Sequence, residues 1–317
     1  MDHQALGIDI GGTNIAFGLV NSEGKLTCEH SVPTHDFDRP EDFVSYIHHY
    51  LSEKNLLDQI LGIGIGAPNG NHYTGEIQFA PNLHWKGRIP LAQMFEDTFH
   101  KPAILTNDAN AAAYGEKLFG HAKDLDDFVT ITLGTGLGSG IVTGGELLYG
   151  HHGIAGEYGH IRVIPGGRLC GCGRYGCLET YASSTGVVRS IQEMESSLKA
   201  SSGLSGMEKP TARDVFELAE KGDAFALEII DYTANILGNA LADFIAFSDP
   251  QAFVLFGGIA QSGKDFAQKV KHYMEQNVLN IYKDSVEIRI SALHDRNAGV
   301  LGTAASIFWK TFKTSRA

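Results

Sequence analysis

The chain has 317 residues, of which 43% are hydrophobic, so it is long enough to bury a sizeable core and to divide into two domains. Its 37 acidic residues outnumber 25 basic ones, and the net charge of -12 disfavours nucleic acid and anionic membrane surfaces as partners. No apolar run is long enough to span a bilayer and no signal peptide opens the chain, so we expect a soluble cytoplasmic protein.

The first part of the chain alternates predicted strands and helices. Residues 6–10 form a buried apolar run, residues 11–13 predict a tight glycine turn, and residues 15–20 predict a returning strand. Apolar residues then recur at helical spacing over residues 41–60, and residues 60–65 predict a further strand. This alternation predicts the α/β class.

A second hairpin repeats the pattern later in the chain. Residues 128–142 show the same order of strand, glycine turn and strand, which indicates a weak internal duplication. Amphipathic helices are predicted over residues 211–247, and the buried strand predicted over 252–256 ends in Gly257 and Gly258. One such turn is most often an ordinary chain reversal, but three turns that each follow a buried strand favour a functional role.

The first glycine turn has the residues of a phosphate-binding site. Asp9 ends the predicted strand, and Gly11 and Gly12 have no side chains, so their backbone N–H groups can approach a polyphosphate closely. Thr13 and Asn14 can add hydrogen bonds. A Rossmann fingerprint would need a helix after the glycines, and no glycine loop ends in the Gly-Lys-Ser/Thr sequence of a Walker A motif. The sequence therefore predicts a nucleotide site of another type.

Three of the four cysteines lie within eight residues, which suits a metal site better than a disulfide framework. His160, Cys170, Cys172 and Cys177 form the pattern His-x9-Cys-x-Cys-x4-Cys, a complete ligand set for tetrahedral zinc. Four protein ligands leave no open position, so we predict a structural metal ion. The alternative is a group of free buried thiols.

These motifs together resemble the ROK sugar kinases, a family of the actin-like, hexokinase-like ATPase superfamily. The resemblance covers nearly the whole chain and rests on residues 9–13, 80–83, 107–112, 133–138, 156–160 and 170–179. It implies an α/β, two-domain actin-like ATPase (ribonuclease H-like) fold with a central cleft. It also implies transfer of the γ-phosphoryl group of ATP to a sugar hydroxyl with the help of Mg2+.

The resemblance implies roles for individual residues. The residues that it places near ATP are Asp9, Gly11, Gly12, Thr13, Asn14, Gly134, Thr135, Gly136, Gly257 and Gly258. The residues that it places near the sugar are Asn82, Asn107, Asp108, Glu157, His160 and Glu179. His160 would then serve zinc and sugar with different ring nitrogens. Asp9 could hold Mg2+ through water, although a turn-capping role is nearly as well supported by the sequence.

Asp108 is the predicted general base, since the attacking hydroxyl must lose its proton and a positioned carboxylate can accept it. The alternative is that Asp108 is the N-cap of the helix predicted from Ala109, because aspartate is a favoured capping residue. The family match at Asn107 and Asp108 favours the catalytic role. Arg162 and its neighbours Arg168 and Arg174 have no predicted role and are expected at the surface.

The resemblance also bears on domains, substrate and assembly. We place the domains at residues 1–118 and 119–299, with a C-terminal helix of residues 300–317 packed on the first domain. Glucose, phosphorylated at its 6-hydroxyl, is the predicted substrate because the Asn82 segment with Trp85 is similar to that of glucokinases in the family. N-acetylmannosamine, N-acetylglucosamine, fructose and allose are the alternatives. The family is commonly oligomeric, so a homodimer or homotetramer is expected.

Two further readings belong to other classes of protein. Repressors of the same family carry a helix-turn-helix domain before the first glycine motif, which here begins at Asp9, so we expect no DNA-binding domain. A sugar-sensing protein that has lost catalysis would keep the zinc loop. The presence of Asp108 and of both phosphate turns argues against that reading.

Overall fold

The computed structural model describes residues 3–262, 264–293 and 298–314. The chain forms two compact units. The first consists of Met1–Asp124, Leu147–Ala155 and Ala292–Ala317, and the second of Leu125–Glu146 and Gly156–Ser291. The predicted domain ranges and the predicted cleft stay predictions.

The strands of the described residues, in chain order, are β1 Gln4–Ile10, β2 Asn14–Val20, β3 Leu26–Pro33, β4 Ile60–Gly66, β5 Gly70–Asn71, β6 Glu76–Gln78, β7 Arg88–Ile89, β8 Ala103–Thr106, β9 Phe128–Leu133, β10 Leu137–Thr143, β11 Glu146–Leu147, β12 Ala252–Phe256 and β13 Glu287–Ile290. The helices are α1 Pro40–Glu53, α2 Leu91–Phe99, α3 Asp108–Leu118, α4 Glu179–Ala182, α5 Ser184–Glu193, α6 Ala212–Glu220, α7 Ala224–Ser248, α8 Gly258–Gln261, α9 Lys264–Asn277 and α10 Ala298–Thr314. None of the described helices combines the length and apolarity needed to cross a membrane.

The sheet of the first unit has the strand order β3-β2-β1-β4-β8. The predicted opening hairpin is confirmed, because β1 pairs antiparallel with β2, and β4 and β8 then extend the sheet in parallel. Helix α10 packs closely on the sheet at two glycines: a Cβ on Gly7 would overlap the carbonyl oxygen of Val300, and one on Gly64 would overlap that of Thr303. These glycines allow the helix to approach the backbone of β1 and β4.

The first predicted helix is shorter than its apolar pattern suggested. Helix α1 begins at Pro40, a residue suited to the first helical position, and ends at Glu53 instead of reaching residue 60. Asn55 adopts a left-handed backbone with φ of 56°, which a continuing helix cannot accommodate. Leu56 and Leu57 nevertheless pack against the same core as the helix, which explains why their spacing looked helical.

The second unit repeats the plan of the first. Its sheet has the order β11-β10-β9-β12-β13, in which β9 and β10 form the predicted antiparallel hairpin and β12 lies parallel to β9 and β13. The helices predicted over residues 211–247 are α6 and α7, and they form much of the core that covers this sheet. Each unit thus has its own hydrophobic core and one glycine turn between its paired strands.

Candidate active site and metal site

The first glycine turn is fixed by short backbone hydrogen bonds. The N–H of Gly11 donates to the carbonyl of Asn14 at 3.0 Å, and the buried Thr34 hydroxyl donates to the carbonyl of Gly11 at 2.7 Å. The N–H of Thr34 also donates to the carbonyl of Thr13 at 2.9 Å. A Cβ on Gly12 would lie 2.6 Å from the carbonyl oxygen of Asn82. The structure therefore brings Asn82 against the turn, as is required if both contribute to one binding site. Thr34 also supports the turn, a role that the sequence analysis did not predict.

Helix α3 is capped by Asn107 and not by Asp108. The Asn107 side-chain oxygen accepts a hydrogen bond from the N–H of Asn110 at 2.7 Å, and Asn107 has the extended backbone typical of an N-cap. The Asp108 carboxylate accepts a bond from the adjacent N–H of Ala109 at 2.9 Å, which is not the capping bond to the second or third residue of the helix. The capping explanation for Asp108 is therefore wrong, and its carboxylate retains capacity to accept a proton.

Two carboxylates in the first unit have raised pKa values. Burial, reinforced by the charge of Asp108, raises the pKa of Asp9 from 3.8 to about 6. Partial loss of hydration also raises the pKa of Asp108, although the residue is exposed to solvent. A Cβ on Gly299 would overlap the Asp9 carboxylate, so the first turn of α10 lies directly against it. Both groups are therefore perturbed in the way that is common at catalytic sites.

The second glycine turn is tied to two helices of its own unit. The carbonyl of Gly134 accepts a hydrogen bond from the N–H of Ser184 at 2.9 Å, and that of Thr135 accepts one from the Thr185 hydroxyl at 2.9 Å. The N–H of Leu137 donates to Oε2 of Glu179 at 3.2 Å. A side chain on the neighbouring Gly136 would overlap this carboxylate. Glu179, predicted as a sugar ligand, therefore also supports the predicted phosphate turn.

The third glycine turn lies beside the second one. Gly257 follows β12 with φ of 103°, a conformation that favours glycine, and a Cβ there would lie 2.6 Å from the carbonyl oxygen of Leu133. Leu133 is the residue before Gly134. Gly258 begins α8, and no neighbouring atom of the described residues lies within 4 Å of the position that a Cβ would occupy there. The second unit therefore brings Gly257 and the turn at Gly134–Gly136 together at one end of its sheet.

The four predicted zinc ligands converge in the second unit. The ligand atoms of His160, Cys170, Cys172 and Cys177 all lie within 4.8 Å of one another. Nδ1 of His160 is 3.6 Å from Sγ of Cys170, and the Sγ atoms of Cys172 and Cys177 are 3.7 Å apart. Around one tetrahedral zinc ion, bonds of about 2.3 Å to sulfur and about 2.1 Å to nitrogen imply separations of about 3.8 Å for two sulfurs and about 3.6 Å for sulfur and nitrogen. The donor set therefore fits zinc.

The two predicted sugar carboxylates flank this ligand set. Nε2 of His160, the nitrogen that does not face Cys170, lies 3.9 Å from Oε2 of the exposed Glu157. Oε1 of Glu179 lies 3.6 Å from Sγ of Cys170. The two ring nitrogens of His160 thus point to different groups, which is the arrangement expected if one binds metal and the other contacts substrate.

The expectation for the three loop arginines was wrong at one position. Arg162 and Arg174 are exposed, but Arg168 is only 9% exposed and makes several hydrogen bonds. An arginine between glycines and cysteines gives no sign of burial in the sequence, because its partners lie in the helices that follow.

Comparison with known proteins agrees with this geometry. The family model of the ROK family matches residues 5–310. The chain is 37% identical over 311 residues to a glucokinase of Halalkalibacterium halodurans, covering 95% of this chain and 94% of the relative. It is 34% identical over 304 residues to an N-acetylmannosamine kinase of Escherichia coli, covering 94% and 96%.

A solved structure shows the same fold. The crystal structure of a ROK family glucokinase from Streptomyces griseus, in complex with glucose and AMPPNP, superposes with a TM-score of 0.76 at 33% identity. The match covers 95% of this chain and 98% of that one. The predicted α/β, actin-like ATPase fold is thereby confirmed. Because the family match spans nearly all of the chain and relatives above 30% identity are matched over almost their whole length, this protein belongs to the ROK family.

Proposed function

We propose that this protein is an ATP-dependent glucokinase, which transfers the γ-phosphoryl group of ATP to the 6-hydroxyl of glucose. The observation that carries the proposal is the placement of Asp108 at the start of α3. Asn107, and not Asp108, caps this helix, and the pKa of Asp108 is raised. The 37% identity to a glucokinase and the likeness to a glucokinase structure that contains glucose and AMPPNP support the choice of substrate.

Asp108 acts as the general base in this proposal. As the sugar hydroxyl attacks phosphorus it becomes more acidic, and the Asp108 carboxylate accepts its proton. A raised pKa makes this carboxylate a stronger base than an aspartate with the ordinary pKa. Asn82, which lies against the first glycine turn, and Asn107 contribute hydrogen bonds to sugar hydroxyls.

The two turns and Asp9 orient the phosphoryl donor. The backbone N–H groups of the first turn after Gly11 and of Thr135 and Gly136 in the second turn receive the phosphates, and Gly257 and Gly258 leave space beside the adenosine. Asp9 would hold Mg2+ through water, since hard cations prefer oxygen ligands. When bound, Mg2+ neutralises charge on the phosphates and so lowers the barrier to transfer.

Zinc has a structural role in this proposal. His160, Cys170, Cys172 and Cys177 hold it through one nitrogen and three sulfurs, and the interatomic distances reported above support this assignment. Zinc fixes the loop on which His160 lies and which leads to Glu179, so it orients sugar ligands without taking part in phosphoryl transfer.

We also propose that the chain is a homo-oligomer, which light scattering after gel filtration tests.

A coupled assay of ADP release across glucose, fructose, N-acetylglucosamine and N-acetylmannosamine tests the substrate. We expect the highest kcat/KM with glucose. A higher value with N-acetylmannosamine would favour the second candidate, to which the 34% identity with an N-acetylmannosamine kinase points. If no sugar releases ADP above the rate without sugar, the protein is not a kinase of these sugars, and the alternative of an inactive sugar-binding protein takes its place.

A further inference from the structure

Arg168 is a buried cation whose hydrogen-bonding groups are almost all used. Nε donates to Oε2 of Glu193 at 2.6 Å, and Nη1 donates to the carbonyls of Thr180 at 2.7 Å and Gly186 at 3.0 Å. Nη2 donates to Oγ of Ser190 at 3.0 Å. Removing a guanidinium from water has a large free-energy cost that hydrogen bonds must offset. Here the N–H groups donate to four different acceptors.

These partners belong to the segment that begins with Glu179. The carbonyls of Thr180 and Gly186 lie in α4 and the first turn of α5, and Ser190 and Glu193 lie further along α5. The guanidinium also lies 4.5 Å from the ring centroid of Tyr181, a cation–π contact. Arg168 therefore fixes helix α4, whose first residue is Glu179, to the neighbouring helix α5.

The backbone of Arg168 is tied to the zinc loop at the same time. Its N–H donates to the hydroxyl of Tyr181 at 2.8 Å, and its carbonyl accepts from the N–H of Gly176 at 2.8 Å. Gly176 precedes the zinc ligand Cys177, and Arg168 itself lies two residues before Cys170. One residue thus joins both ends of the metal-binding loop to the helix that presents Glu179.

We propose that Arg168 is a positioning residue of the sugar site, which holds Glu179 in register with the zinc loop so that its carboxylate faces the sugar. The proposal rests on the function proposed above. Zinc would fix the loop that carries its ligands, but Glu179 lies beyond the last ligand, and the guanidinium bonds to Thr180 and Gly186 fix the helix that follows. Lysine cannot replace it, because a single ammonium lacks the planar fork that reaches four acceptors at once.

The test compares Arg168→Met and Arg168→Lys with the control Arg213→Met. Arg213 also pairs with a glutamate, Glu217 at 2.7 Å, but its side chain is 86% exposed. We expect the KM for glucose to rise about tenfold or more in Arg168→Met, as loss of hydrogen bonds from a charged group implies, and less in Arg168→Lys. The KM for ATP should change much less, the zinc content should stay at that of wild type, and the control should match wild type throughout.

A double-mutant cycle with Glu179→Gln separates positioning from general loosening. If Arg168 acts through Glu179, Arg168→Met should change the glucose KM little once Glu179 is already replaced. If the increase in glucose KM of the double variant equals the product of the two single-variant increases, the proposal is overturned. A folded Arg168→Met protein with a glucose KM within twofold of wild type would overturn it as well. If Arg168→Met does not fold, the same criteria apply to Arg168→Lys.

Hydrogen exchange measured by mass spectrometry gives a readout that does not depend on catalysis. Amides of residues 178–186 should exchange faster in both Arg168 variants than in wild type and in the control. If the wild-type protein phosphorylates no sugar, the proposed function fails while this comparison still tests the positioning role. Unchanged exchange over residues 178–186 in a folded variant would refute the positioning role even if the kinase assignment holds.

Discussion

Asp108 and Asn107 divide two tasks that the sequence alone could not separate. Either side chain could cap α3, because aspartate and asparagine are about equally good N-caps. The backbone decides the matter, since the residue with extended φ and ψ before the helix is Asn107. Asp108 is then the first residue inside the helix, and its carboxylate is available for chemistry.

We expect Asp108→Asn to lower kcat by roughly 10²- to 10⁴-fold while glucose still binds, because the amide keeps a hydrogen bond but cannot accept the proton. Steady-state kinetics and calorimetric titration with glucose measure the two effects. Asp223→Asn is a matched control, since Asp223 caps α7 by accepting from the N–H of Ala226 at 3.0 Å. An Asp108→Asn variant within threefold of wild-type kcat would remove Asp108 from the mechanism.

Asp9 is expected to reduce the stability of the fold. Its pKa of about 6 in the folded chain lies above the ordinary value of 3.8, so the ionised form is disfavoured by folding. The cost of burying the ionised carboxylate is therefore absent below pH 4, so the protein has its full stability there. That stability is lost as the pH rises through 6 and the folded protein must ionise Asp9. Two pKa units correspond to about 3 kcal/mol, so we expect Asp9→Asn to raise the unfolding free energy at pH 7 by about 1–3 kcal/mol.

Urea unfolding in magnesium-free buffer at pH 7 and at pH 4 tests this expectation. The gain from Asp9→Asn should be present at pH 7 and nearly absent at pH 4, whereas activity assayed separately with Mg2+ at pH 7 should fall. The control is Asp58→Asn, a change at an exposed aspartate of the same unit. A variant that is less stable than wild type at pH 7 would show that the Asp9 carboxylate has a stabilising partner that outweighs its burial.

At the level of elements, local patterns predicted the hairpins but not every strand. Strands β1 and β2 are apolar runs on either side of a glycine turn, so adjacent residues specify them. The strand β3 contains Glu29 and His30 and is only partly buried, so its sequence lacks a clear alternation. The small sheet of β5, β6 and β7 has strands of two or three residues, which form because tertiary contacts bring them together.

The site shows the same division between local and distant information. The convergence of His160 and the three cysteines was predictable, because the identity and spacing of metal ligands are chemical requirements within one loop. The hydrogen bond from Leu137 to Glu179 could not be predicted, since it joins residues 42 positions apart and neither residue type indicates such a contact. The burial of Arg168 likewise depends on acceptors in α4 and α5 that no spacing rule identifies.

The zinc loop as an element gives a further prediction. Cys172→Ser replaces a thiolate by a hydroxyl, a poorer ligand at a sulfur-rich site, so zinc content should fall below the one ion per chain expected for wild type. Loosening of the loop should disturb His160 and Glu179, and we expect the affinity for glucose to fall more than that for ATP. Elemental analysis and separate titrations with glucose and ATP provide the measurements.

The chain offers a matched control for this change in Cys28. Cys28 is a half-buried free cysteine of the first unit, so Cys28→Ser makes the same substitution away from the ligand set. This variant should keep its zinc and its affinity for glucose. If Cys172→Ser keeps full zinc content, the exposed Cys172 is not a ligand, and if it loses zinc without any loss of glucose affinity, the metal has no part in sugar binding.

At the scale of the whole molecule, the two units share a plan but differ in what they contain. Each has a five-stranded sheet with an antiparallel hairpin, a glycine turn and parallel strands beyond it. The first unit holds the two perturbed carboxylates, and the second holds the four residues that we propose as zinc ligands. Because each unit has its own hydrophobic core, a perturbation of one can be followed separately from the other.

Zinc removal should therefore loosen the two units unequally. Binding of a structural metal contributes directly to the stability of the residues that hold it, and all four ligands lie in the second unit. After treatment with a chelator, hydrogen exchange should become faster around residues 156–193, with little change in β1, β2 and β4 of the first unit. Adding zinc back should restore the original protection, which controls for irreversible damage. Equal acceleration in both units, or none in either, would contradict a zinc ion that stabilises the sugar-binding loop of the second unit.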